Sequence, residues 1–209
     1  MVTQDWAMKF LPQKYRESQT DWFAKRGISW HITDVVSNHQ RQLQSQSFVH
    51  VVENCSQDSP VVIHIMEHVL RTLKTENPEL TAAFFRNRDN AECYHNSTLL
   101  AECRSMGAAT RVTVSRMDFS DPHGGKGPCD RKAATIKAHV RRFINEDHDV
   151  QTPKDLETAM LQLSAGGLSG VRVALVDSLG ITDSPIKWDG ISLINNLQYT
   201  GSTIKVWRS

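Results

Sequence analysis

The chain has 209 residues, enough for one domain with a real core or one domain plus an extension. Hydrophobic residues make up 39% and the formal net charge is +1, so the composition suits a globular chain and bulk charge predicts no partner. No apolar run reaches transmembrane length and the N-terminus is polar by Gln4 and Asp5, so neither a membrane partner nor a signal peptide is expected. Cys55, Cys93, Cys103 and Cys129 are irregularly spaced, which excludes a disulfide framework and predicts reduced thiols in an intracellular protein, nuclear or cytoplasmic.

Val2 to Phe10 has mixed strand character, with Asp5 between apolar neighbours. A carboxylate there either faces water near a frayed end or is paired, because burial alone costs several kcal/mol. Leu11-Pro12 breaks the segment, and Lys14, Arg16, Lys25 and Arg26 make the next loop basic. Ile28 to Val36 alternates as a second strand, with His31 facing outward. The Gln-rich stretch from His39 to Ser47 reads as a loop and Phe48 to Val52 as a third strand, giving an antiparallel meander.

Ser59 as N-cap and Pro60 open a helix whose buried face is Val62, Ile65, Met66, Val69, Leu70 and Leu73, stopped by Asn77-Pro78. His64 and His68 have a metal-ligand spacing on that helix but read as a solvated pair. Leu80 to Arg86 reads as a buried strand ending at Arg88-Asp89-Asn90, where an open sheet places its site residues. Asn96 or Ser97 caps a helix through Cys103 that Gly107 closes, and Arg111 to Phe119 is a fifth strand. A basic amphipathic helix follows with Ala133, Ile136, Val140, Phe143 and Ile144 inside. Thr152-Pro153 starts another helix, Val171 to Val176 is a strand, Ile191 to Leu197 is of undecided type, and Thr203 to Trp207 is strand-like. The stop at Ser209, just after strand-like residues, suggests a fragment or a shortened relative of something longer.

From the end of the fifth strand to the start of the basic helix, one stretch carries Asp118, Asp121, His123, Cys129, Asp130 and a Gly125-Lys126-Gly127 turn. So many metal-capable and phosphate-capable groups make it a site candidate. Lys126, Arg131, Lys132, Lys137, Arg141 and Arg142 can follow a nucleic-acid backbone, or can be a solvated helix face. The turn lacks Walker spacing, and no nucleophile elbow is present. Cys93, His95, Cys103, His123 and Cys129 are soft ligands that suit a structural Zn²⁺, though their spacings match no standard finger.

Three strands, a helix, a strand, a helix, a strand and a helix is the order of the ribonuclease H-like fold. Asp5 lies on the first strand, Asp89 ends the fourth, and Asp121 follows the fifth, 32 residues after Asp89. The stretches Asp5-Trp6-Ala7-Met8-Lys9, Arg88-Asp89-Asn90-Ala91-Glu92-Cys93-Tyr94-His95 and Asp118-Phe119-Ser120-Asp121 through Gly127-Pro128-Cys129-Asp130 resemble the three acid motifs of eukaryotic DNA-transposon transposases. Asp121 stands where such sequences often carry Glu, Glu92 replaces a small residue, and no zinc finger precedes Asp5. The resemblance implies an α/β ribonuclease H-like mixed sheet, a three-strand meander plus two further strands, flanked by helices. Residues 1–150 would form the catalytic core and residues 151–209 an extension packed on it.

The implied activity is that of a metal-dependent polynucleotidyl transferase or nuclease acting on DNA. Two Mg²⁺ or Mn²⁺ ions about 4 Å apart would be held by carboxylates. Asp5 would bridge both, Asp89 and Asp121 would each bind one, and Asp118 and Asp130 are reserves for the third acid. The alternative is a domesticated domain that has lost catalysis and serves as a DNA- or protein-binding module, with homo-oligomerisation open in either case.

Overall fold

A computed structural model describes residues 1–23, 25–39, 41–53, 57–87, 91–119, 127–164, 170–177, 186–201 and 203–208. The elements are β1 (Val2–Trp6), β2 (Ser29–His39), β3 (Gln42–Glu53), α1 (Ser59–Glu76), β4 (Ala82–Asn87), α2 (Ser97–Thr110), β5 (Thr113–Phe119), α3 (Pro128–Asn145), α4 (Pro153–Ser164), β6 (Val171–Asp177), β7 (Ile194–Thr200) and β8 (Thr203–Arg208). The chain is therefore α/β with mixed strand pairing, and through α3 its elements follow the order that the sequence pattern predicts. It divides into two units that interleave along the chain. The first comprises Met1–Gln4, Gln57–Gly125 and Gly180–Ser209, and the second Asp5–Ser56 and Lys126–Leu179. Residues 151–209 are thus shared: α4 and β6 fall in the second unit, β7 and β8 in the first.

In the first unit β1, β4 and β5 are parallel, with Val2, Thr3 and Gln4 in register with Phe85, Arg86 and Asn87. β7 then pairs antiparallel with β5, and β8 with β7. α1 forms because Asp58 accepts a hydrogen bond from the Val61 amide at 3.3 Å and Pro60 suits the first turn. Its stripe from Val61 to Leu73 is buried, and α1 packs on α2, which packs on β5. Asp58, not Ser59, is the N-cap, because its backbone is extended and its carboxylate reaches the orphan amide. Gly107 does not end α2. The helix runs on to Thr110, whose buried hydroxyl bonds the Met106 carbonyl at 2.8 Å, and Arg111 closes it in the left-handed region at φ 60. The undecided stretch at Ile191 resolves into a 3-10 turn, Ile191–Leu193, followed by β7.

In the second unit β2 and β3 form a long antiparallel hairpin and β3 pairs in parallel with β6. Residues after Asp5 run beside β2: the Ala7 amide donates to Trp30 O at 3.1 Å, and Phe10 and Ile28 exchange backbone bonds. The hairpin extends back to Gln42, so part of the Gln-rich stretch expected as loop is strand. Ladder hydrogen bonds hold it there while its side chains stay exposed, a pattern that apolar periodicity cannot reveal. Trp30, Ile32, Val49 and Val51 pack with Ile136, Val140 and Phe143 of α3 and Leu156 and Met160 of α4. From Ser29 to Val35 β2 is buried on both faces, so His31 is fully enclosed instead of outward-facing. His64 and His68 do lie exposed on α1.

Candidate functional site

Asp5 sits one residue past the last registered position of β1, half-buried, on the wall of a cavity of about 690 Å³ in the second unit. Trp6, Ala7, Met8 and Ile32 line it too, and the first three turns of α3 supply Cys129, Asp130, Arg131 and Lys137. Pro128 and the Gly127 N-cap start α3 here, so the positive end of an 18-residue helix faces the acid-bearing strand end. Burial, and then the Asp5 and Asp34 carboxylates, push the Cys129 thiol up to about 12. The thiol is therefore a neutral wall group, with Sγ 3.7 Å from Ile32 O. Lys137 stands over the Trp30 ring at 5.8 Å from its centroid, which holds a cation close to the cavity.

The expected third-acid candidates separate by what already engages them. Asp118, on β5 in the first unit, accepts from Arg116 Nε at 2.6 Å and, with the Asn196 amide correctly turned, from that side chain at 2.8 Å. Asp130 accepts from the Gly127 amide at 2.8 Å, the backward half of a capping box, and lines the same cavity as Asp5. Asp89, Asp121, His123 and Lys126 lie outside the described residues. Asp34, which periodicity gave no reason to single out, is a buried acid on β2 that accepts from Ser47 Oγ at 2.8 Å. Asp5 and Asp130 are hard oxygen donors that fit a divalent cation as part of a ligand set. Among the described residues alone no group of three His, Cys, Asp or Glu is assembled to hold a metal ion.

Arg131, Arg141 and Arg142 are exposed and Lys132 and Lys137 half-buried along α3, so the cationic stripe expected from the sequence is accessible for most of its length. Among the described residues the expected soft ligands form no metal-holding group. Cys103 is buried in α2, its thiol pushed up to about 12 by burial and in contact with Tyr199, which donates to Leu100 O at 2.8 Å. His95 is buried and stacks on Phe119 at 4.3 Å, and Cys93 is half-buried in the turn before α2.

Residues 1–183 match the family model of a domain of unknown function, DUF8701. The chain belongs to the DUF8701 family. No curated protein and no solved structure matches the chain. The DUF8701 segment contains Asp5, Asp89, Asp121 and all of α3, whereas the β7–β8 hairpin that extends the first unit beside β5 lies beyond it. No helix among the described residues of this DUF8701 member is long and apolar enough to cross a membrane.

Proposed function

We propose that this chain is a ribonuclease H-like, transposase-derived core that acts on DNA phosphodiesters with divalent metal ions, with Asp5, Asp89 and Asp121 as its acids. The observation that carries the reading is the Asp5 cavity: a strand-end carboxylate opposite a helix N-terminus, with Asp130, Arg131 and Lys137 on the same wall. The order of elements and the parallel course of β1, β4 and β5 support it, because strand ends of that kind collect catalytic residues on one edge. Mg²⁺ or Mn²⁺ bound by the acids would activate the attacking oxygen and stabilise the leaving one. Asp5 supplies a hard ligand, Arg131 and Lys137 draw the phosphate towards it, and the exposed arginines of α3 hold the flanking backbone.

Carboxylates brought together without metal repel, by about 4 kcal/mol for two charges 4 Å apart at an effective dielectric of 20. Mg²⁺ or Mn²⁺ should therefore raise the melting temperature of the protein, and Asp89→Asn should blunt the rise. A melting temperature that ignores both ions in the wild-type protein counts against an acid site.

A second reading is favoured by the exposure of Arg131, Arg141 and Arg142. In it the domain binds DNA through α3 and no longer cleaves it. Retarded mobility of duplex DNA, with no Mn²⁺-dependent cleavage at the same protein concentration, selects that reading.

A further inference from the structure

In the first unit β4, β5, β7 and β8 are four adjacent strands, and their side chains alternate between two faces. Phe85, Met117 and Leu197 are fully buried on one face, where Tyr199 bonds the α2 backbone. The register sets two rows across the other face. Phe84, Arg116, Gln198 and Lys205 form one, and Arg86, Asp118, Asn196 and Trp207 form the next. None of these side chains is buried, and Trp207 is 46% exposed. β4 and β5 are parallel, and parallel strands are ordinarily covered on both faces, so an open face here calls for a partner. The two rows carry three cations, Arg86, Arg116 and Lys205, against the one acid Asp118. Asp118 accepts from Arg116 Nε at 2.6 Å and from the turned Asn196 amide, which holds the guanidinium 5.6 Å from the centroid of the Phe84 ring. A planar guanidinium fixed through Nε keeps its Nη donors for a phosphate.

We propose that this sheet face binds single-stranded DNA, with a base stacked on Trp207 and the backbone phosphates on Arg86, Arg116 and Lys205. The excess of positive charge selects a polyanion, and the exposed indole selects one whose bases are free to stack. A duplex does not meet that requirement, and four strands are wider than the two-stranded ribbon that a major groove admits. The face spans about 14 Å from β4 to β8, and four-stranded sheets with aromatic side chains on an open face hold two or three unpaired bases. The choice of DNA as the strand rests on the function proposed above, whereas the face uses no residue of the Asp5 cavity.

The test is fluorescence anisotropy of labelled oligo(dT), oligo(rU) and an oligo(dT)–oligo(dA) duplex with the full chain in EDTA, where metal-dependent cleavage is silent. Trp207→Leu, at an exposed position, should weaken oligo(dT) binding about tenfold, and Trp207→Phe should keep it within about threefold because the ring still stacks. Neither change should alter duplex binding. Arg116→Gln combined with Lys205→Gln should reduce the slope of log affinity against log salt for oligo(dT) by about 1.4. Single-strand binding of this pattern by a chain that cleaves nothing in Mn²⁺ supports the face and defeats only the catalytic reading. Tighter binding of oligo(rU) than of oligo(dT), an equal loss of duplex binding, or an unaltered Trp207→Leu overturns the proposal. So does sedimentation of the protein alone as a dimer that Trp207→Leu dissociates, because a second copy then covers the face.

Discussion

His31 has no solvent to stabilise a charge: it is fully buried on β2, edge-on to Trp6 at 5.0 Å, and burial pushes its pKa down to about 3. The folded value lies below the unfolded one, so its contribution to stability is complete above about pH 6.5 and is lost as pH falls towards 3. Denaturation at a series of pH values should show stability declining through that window by about 1 kcal/mol per pH unit from this group, and His31→Leu should flatten the slope. Strand alternation placed His31 outside because it presumes one wet face. From Ser29 to Val35 β2 has none, and no single-residue pattern announces that. The thiols give a second residue-scale expectation. Burial holds Cys103 and Cys129 up at about 12, so at pH 8 iodoacetamide should modify half-buried Cys93 well before either, as peptide mass spectrometry would record. Caps are legible to within one residue: the sequence offers Asn96 or Ser97 for α2 and Asn96 is the cap, while Asp58 caps α1 in place of its neighbour Ser59. Asn96→Ala should cost about 1 kcal/mol in urea unfolding.

Helices α1 and α3 were legible because an apolar stripe at helical spacing has few other uses. The residues read as the buried face of α1 are buried in it, and Leu70→Ala should destabilise by about 2–5 kcal/mol with the denaturant midpoint as readout. The polar half of β3 was not legible, because backbone pairing with β2 holds it whatever its side chains are. Basic charge on α3 was visible in the sequence, and exposure of Arg141 and Arg142 makes it usable. If α3 holds a DNA backbone, Arg141→Gln combined with Arg142→Gln should reduce the slope of log affinity against log salt by about 2 and weaken all sequences alike. An unchanged slope removes α3 from the interface.

On the scale of the whole molecule, the interleaved units explain what sequence order conceals. Asp5 belongs to the second unit although Val2 to Gln4, directly before it, pair in the first. Its place at a strand end came from position alone, whereas the cavity around it depends on α3, more than a hundred residues on. Strand alternation puts Arg116 and Asp118 on one face of β5, so that pair is local, whereas nothing local to Asp118 foretold Asn196, which arrives from β7. That engagement, and the use of Asp130 in the α3 cap, leave Asp121 as the acid to test beside Asp89. The most direct measurement is cleavage of labelled duplex DNA in Mn²⁺ by the wild-type chain, Asp5→Ala and Asp89→Ala, with chelator as control. The account predicts Mn²⁺-dependent cleavage that falls to background in both variants while their circular dichroism is unchanged. Cleavage that persists in both variants contradicts it.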